Sequence, residues 1–295
     1  MNIVNVHGGL GNQMFQYAFG LSLERVSGVE TRYAIDMLEG YKLHNGLEID
    51  RVFDLPFSVA NEADLVSVLG VANSVFARRF VGKFVPSWFL RNRFIQERGP
   101  AFFSAAMTAQ DRAYYQGYWQ SELYFSSFRE AVLSAFVFRD PDSVGSSELA
   151  FRIKSCNSVA VHVRRGDYLQ GKNLGIYAGC GIEFYRRAVE CMAAKVGDMR
   201  LFIFGDDPDW ASVEFKGLNC DFEVVNGNSG PDSYKDMLLM SLASHNIISN
   251  STFGWWGAWI NRNVGKIVVA PSRWYRGRYA GIVDMIPSDW IKVPI

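Results

Sequence analysis

The residues best placed to do chemistry gather in SVAVHVRRGDY, residues 158–168, where one histidine and two adjacent arginines close an apolar run. A period of two along this run puts Val159, Val161 and Val163 on one face of a strand, and His162 and Arg164 on the other. Arg165 then turns away, toward Gly166. A guanidinium at a strand end offers a planar fork of donors that matches a phosphate. Arg164 therefore reads as an anion ligand, against the plainer alternative of a surface arginine beyond the end of the strand.

Three other stretches could share that work. GGLGNQ (8–13) is a glycine-rich turn between a strand and a helix, which brings backbone N–H groups and a helix start to one point. It is not a dinucleotide fingerprint, because after Gly9 and Gly11 the third glycine position holds Met14. SNSTFGWWGAW (249–259) places small hydroxylated residues after an apolar strand, where Ser251 or Thr252 can cap a helix while its first N–H groups stay available. FGDDPDW (204–210) puts acids at a third strand end. Asp207 and Asp209 match a DxD pattern for a divalent metal, but Pro208 suits a first helical turn with those acids at its positive end. Asp206, nearest the strand, can accept hydrogen bonds from a sugar or a base.

These motifs need a scaffold that gathers strand ends. In the second half, apolar strands over 158–163, 200–205, 222–225, 245–249 and 266–270 alternate with helices, the pattern of a parallel, doubly wound α/β sheet. One of those helices is expected over 233–243 with Asp232 as its N-cap. The first half opens in the same way: a strand at 2–6, a helix from Asn12 that ends at Gly28, a strand within 29–36 and a helix over 60–69. A strand at 114–119 and a helix over 121–136 follow, while 70–113 is irregular. RDPDSVGSS (139–147) has the composition of a linker, so the expected domains are 1–145 and 146–295, two α/β domains facing a cleft.

Bulk properties exclude other classes. Thirty basic residues balance thirty acidic ones in the 295-residue chain, so no net field draws nucleic acid. No apolar run approaches the roughly 20 residues that span a bilayer, and no signal peptide is visible at the start, so a cytoplasmic protein is expected. The four cysteines have no metal-finger spacing and read as reduced thiols. The basic, aromatic stretch 74–94 is a solvated face over apolar core or, alternatively, a peripheral contact with the inner face of the cytoplasmic membrane.

HVRRGDY resembles the HxRRxD motif shared by α1,2-, α1,6- and protein O-fucosyltransferases. With GGLGNQMFQYAFG near the start, GYWQSELYF (117–125) and HNIISNSTFGWWGAWIN (245–261), the sequence closely resembles the bacterial α1,2-fucosyltransferases of glycosyltransferase family 11. The resemblance runs from residue 3 to residue 271 and is poor over 70–113. It implies a GT-B fold of two Rossmann-like domains, acceptor-side over 1–145 and GDP-fucose-binding over 146–295. It further implies inverting transfer from GDP-β-L-fucose to O2 of a terminal galactose, on a free or lipid-linked glycan in O-antigen synthesis, with no cofactor and no metal.

By the same resemblance Arg164 pairs with the diphosphate with Arg165 in support, while Gly9, Gly11 and Asn12 approach it from the other domain. Ser251, Thr252 and Phe253 hold the phosphates at the helix start, with His162 and Asp206 near the nucleotide. Asp167 is either the base that takes the acceptor's proton or a structural acid that fixes an arginine. Two other classes compete: a metal-dependent glycosyltransferase using Asp207 and Asp209, and a nucleotide-sugar binding module without turnover.

Overall fold

Short runs of β-branched and aromatic residues build two parallel sheets, one in each of two units, Met1–Arg139 and Asp140–Ile295. The structure, a computed structural model, describes residues 1–38, 45–70, 93–108, 110–145, 147–166, 177–282 and 284–295. The units divide at Arg139/Asp140. The stretch read as a linker carries a one-turn helix, Asp142–Gly145, and Ser147, whose hydroxyl caps the next helix by accepting from Ala150 N.

The first unit runs β1 (Asn2–Asn5), α1 (Leu10–Ser27), β2 (Thr31–Ala34), α2 (Glu62–Leu69), β3 (Phe94–Gln96), β4 (Tyr114–Gln116) and α3 (Arg129–Ala135). Its four strands lie in the order β2-β1-β4-β3, all parallel. Gly28, left-handed at φ 69°, ends α1 and sends the chain back into β2. α1 is sheathed in aromatic rings: Tyr17 stacks on Tyr33 and Phe19 on Trp119, with centroids 5.3 and 4.2 Å apart. The helix expected over 121–136 is instead two short 3₁₀ turns followed by α3. Ser121 accepts a bond from Leu123 N, and serines at 126 and 127 offer the backbone further local alternatives to a helix. β3 was not visible in the sequence, because FIQ is too short to show a period.

The second unit runs α4 (Glu148–Lys154), β5 (Ser158–Val163), α5 (Ile182–Val196), β6 (Arg200–Gly205), α6 (Pro208–Glu214), β7 (Asp221–Val224), α7 (Tyr234–Ser241), β8 (His245–Ile247), α8 (Thr252–Trp259), β9 (Val268–Pro271) and β10 (Ile291–Val293). All six strands are parallel in the order β10-β9-β8-β5-β6-β7. Counted from β5 as the first, that is 3-2-1-4-5-6, the order of dinucleotide-binding sheets. The chain leaves β5 in one direction and returns at β8 to go the other way. Its topological switch point therefore lies between the ends of β5 and β8.

Val159, Val161 and Val163 enter a core with Phe184, Tyr185, Ala188 and Met192 of α5. Each valine contributes about 1.5–3 kcal/mol as an upper estimate. The other face carries α7 and α8, whose Trp255, Trp256 and Trp259 are fully buried. Asp232 is not the cap of α7: it sits in a 3₁₀ turn, Gly230–Asp232, and pairs with Lys235 at 3.0 Å. β10 is a strand that the sequence did not reveal, since Lys292 interrupts its apolar character. Among the described residues no helix is long and apolar enough to cross a membrane.

Candidate functional site

Gly205 ends β6 opposite Val163, and a β-carbon on it would run into the Val163 carbonyl oxygen. The glycine lets the two strand ends close on one another and sets Asp206 beside the turn that follows β5. Asp206 Oδ1 accepts from Arg165 N at 2.9 Å, and Oδ2 accepts from Gly166 N at 3.1 Å. Oδ2 also pairs with Arg164 Nη1 at 3.1 Å. One carboxylate thus holds the backbone of the RRG turn and one of its guanidinium groups together.

The two arginines part company here. Arg164 leans on Asp206 across the ends of β5 and β6, and its side chain stays 31% exposed. Arg165 packs over the Trp210 ring, its Cζ 4.1 Å from the centroid, and its Nε donates to Asp207 at 3.1 Å. Trp210 belongs to the valine side of the sheet, so Arg165 is tied to α6 while Arg164 is held by Asp206. Asp207 is doubly engaged: its other oxygen caps α6 by accepting from Trp210 N at 3.1 Å. Asp209 sits exposed in the first turn of the same helix. The DxD pattern is therefore helix capping plus an arginine clamp, and among the described residues no group of three or more His, Cys, Asp or Glu could hold a metal ion.

His162, buried at the end of β5, bonds through Nδ1 to Ser249 Oγ at 2.8 Å, across the switch point. Burial first, and the positive Arg164 second, hold its pKa down at about 3, so the ring is neutral and Arg164 carries the charge. Asn250, fully buried, donates to the carbonyls of Ala178 and Trp274 at 2.7 and 3.1 Å, which pins the loop after β8. The chain then enters α8 with Ser251 at the N-cap, and the Ser251 side chain makes no capping bond. The first N–H groups of α8 have no acceptor within the helix and carry its positive end. Thr252 and Phe253 open α8, and the Phe253 ring lies 5.8 Å from that of His162. Arg164 and the start of α8 thus flank the crevice where open α/β sheets take ligands.

In the first unit, Gly8 takes a left-handed φ of 81° and Gly9 is the N-cap of α1, again without a side-chain cap. Asn12 N bonds Gly9 O at 2.9 Å, and Asn12 Oδ1 accepts from Gln120 at 2.7 Å. Gly11 is buried in the first turn of α1. Gln13 was not singled out in the sequence, yet it stitches this turn to Gly46 and to the Glu48 and Ile49 amides, all at 3.1 Å or less. Ser249, Asn250 and Gly254 were also missed, because each acts on a partner far away in sequence. Asp167 lies outside the described residues, as does the basic aromatic stretch from residue 74 to residue 92.

The model of Glycosyl transferase family 11 matches residues 66–293. The chain is 31% identical over 303 residues to an alpha-1,2-colitosyltransferase of Escherichia coli, covering 99% of this chain and 98% of that one. It is 28% identical over 302 residues to the O-antigen biosynthesis glycosyltransferase WbnK of Escherichia coli, covering 97% and 98%. Among solved structures, a mutant of Arabidopsis thaliana FUT1 in complex with GDP superposes with a TM-score of 0.52 at 10% identity, over 99% of this chain and 73% of that chain. That likeness bears on fold alone, which is of the GT-B kind.

Proposed function

This chain belongs to glycosyl transferase family 11, and we propose that it transfers L-fucose from GDP-β-L-fucose to O2 of a terminal galactose with inversion. The observation that supports this most is the switch point of the second unit, where Arg164 and the N-terminus of α8 flank a dinucleotide-type crevice. As the bond from the fucosyl carbon to the β-phosphate oxygen breaks, GDP gathers negative charge and the sugar becomes oxocarbenium-like. Donors aimed at that oxygen stabilise the breaking bond more than the intact one, by about 3–4 kcal/mol for a key group. Arg164 is the candidate for that role, with Ser251, Thr252 and Phe253 holding phosphate oxygens at the helix start.

The acceptor hydroxyl attacks the opposite face and gives up its proton to a carboxylate, for which Asp167 is the candidate. His162, being neutral, orders the crevice rather than neutralising phosphate. Gly9, Gly11 and Asn12 form the first unit's own anion-ready helix start. In this reading the charge is met by a guanidinium and backbone dipoles, so no metal or cofactor is required. The product belongs to a bacterial surface polysaccharide, in line with the name of WbnK.

The test is an assay of purified protein with labelled GDP-fucose and a panel of galactose-terminated acceptors, with the product linkage read by NMR. An α1,2-linked fucosyl product is expected, and its absence from every galactoside overturns the reading. A second donor is favoured by one observation, the 31% identity with a colitosyltransferase. Activated colitose is therefore run in parallel, and a strong preference for it reassigns the donor but leaves the fold and the transfer chemistry in place.

A further inference from the structure

The carboxyl rim of the first unit's sheet carries a constructed cluster that the donor chemistry does not use. The sheet order β2-β1-β4-β3 makes the ends of β1, β4 and β3 neighbours, and the residues just beyond them interlock. After β4, Trp119 adopts φ 54°, a left-handed conformation that is an outlier for a bulky residue. This turn buries Trp119 completely and sends Tyr118 outward, where it stays 46% exposed while Tyr114 and Tyr115 are buried. Backbone strain held in place by its surroundings marks functional positions more often than ordinary loops.

The turn is held from two sides. Glu97, just beyond β3, accepts from Tyr118 N at 2.7 Å through one oxygen and from Trp119 N at 3.1 Å through the other. Gly117 makes room for it, since a β-carbon there would lie 2.5 Å from the Glu97 Cβ. On the β1 side, the His7 ring meets that of Tyr118 at a tilt of 54°, with centroids 4.5 Å apart. Gln16 ties His7 N (3.0 Å) and Gly117 O (3.1 Å) into one frame. Amide groups of Asn5 and Gln16 lie 2.8 and 3.1 Å from His7 Nδ1, so that nitrogen is the acceptor and the ring's proton sits on Nε2. Burial keeps His7 neutral, with a pKa of about 4, and pushes Glu97 up to about 7.

We propose that this rim is the subsite for the acceptor's terminal sugar. Tyr118 is the platform for the sugar's apolar face, His7 Nε2–H donates to a hydroxyl, and Glu97 is a positioning residue that fixes the platform. The inference rests on the reading that the protein glycosylates a galactose-terminated glycan. A galactose ring has an axial O4, which leaves the C–H groups of C3, C4 and C5 together on one face. Those weakly positive C–H groups suit the negative face of an exposed aromatic ring. The contacts described come from a neutral imidazole, a carboxylate and backbone amides, a set that suits a neutral polyol rather than a phosphate.

The experiment is saturation-transfer NMR with lactose on wild type, Tyr118→Ala, Tyr118→Trp and Glu97→Gln, with circular dichroism confirming the fold. Transfer to galactosyl protons is expected in wild type and Tyr118→Trp, to vanish in Tyr118→Ala, and to weaken in Glu97→Gln, where one oxygen that accepted an N–H becomes a donor. In steady-state assays the acceptor KM should rise about tenfold or more in Tyr118→Ala, with kcat and the KM for GDP-fucose near wild type. A purely structural role for Glu97 would lower kcat and both KM-dependent terms together. Equal saturation transfer in wild type and a folded Tyr118→Ala overturns the subsite, whether or not turnover is seen. Failure of wild type to turn over any galactoside, with lactose contact intact, counts against the transfer reading alone.

Discussion

Gly254, in the first turn of α8, lies so close to His162 that a β-carbon on it would stand 2.7 Å from the imidazole Cγ and Nδ1. The helix start and the end of β5 are in contact at the switch point, where His162 Nδ1 is also bonded to Ser249 Oγ. Gly254→Ala must therefore push α8 away from a ring that cannot yield. The expected result is a loss of about 1–3 kcal/mol in stability and a marked loss of GDP affinity, measured by thermal unfolding and calorimetric titration. Gly257→Ala is the control: its β-carbon meets the flexible end of Met240, 2.8 Å away, and the helix gains from alanine. If both variants bind GDP like wild type, the start of α8 is not part of the donor site.

The two arginines should separate by kinetics. Arg164→Ala is expected to lower kcat by about a hundredfold or more while the fold is retained. Arg164→Lys should be nearly as damaged, since lysine keeps the charge but not the fork. Arg165→Lys can still reach Asp207 and Trp210, so it should keep most of the activity and lose some stability. A folded Arg164→Ala enzyme within a fewfold of wild-type kcat would make Arg164 a surface residue.

Metal independence is a further expectation. Asp207 is already committed to Trp210 N and to Arg165. Transfer is measured after metal stripping, with and without EDTA. Activity lost on stripping and restored by manganese or magnesium would sink the arginine-and-dipole account of phosphate binding.

The second unit was legible because its strands are nearly continuous apolar runs, SVAVHV and RLFIFG above all, as buried parallel strands must be. The positions of Arg164, Asp206 and Ser251 just beyond strand ends were legible too, since they directly follow those runs. What stayed hidden has a physical pattern. β3 and β10 have three residues each, too few to show a period. The Gln16–Gly117 bond joins residues 101 positions apart, and the Glu97 clasp depends on a positive φ at a tryptophan, which no residue preference announces.

The histidines give the last test, through their pH dependence. Burial holds His7 near pKa 4 and His162 near 3, both below the ordinary 6.5. The folded state thus binds fewer protons than the unfolded chain between these values, so the stability from both neutral rings is complete above pH 6.5. It is lost as the pH falls through 4 and 3, each ring contributing a slope of about 1.4 kcal/mol per pH unit at most. Glu97 and Asp236, raised by burial to about 7 and about 6, work in the opposite sense and gain stability as the pH falls toward their ordinary values. Glu97→Gln removes one of those opposing slopes, so its acid-side loss of stability should begin at higher pH than in wild type. NMR of nitrogen-labelled histidine reads the rings directly: the His7 and His162 imidazoles should remain neutral at pH 5. A His162 ring half-protonated near pH 6 would mean that the end of β5 is open to water, and that the charge at the switch point is not carried by Arg164 alone.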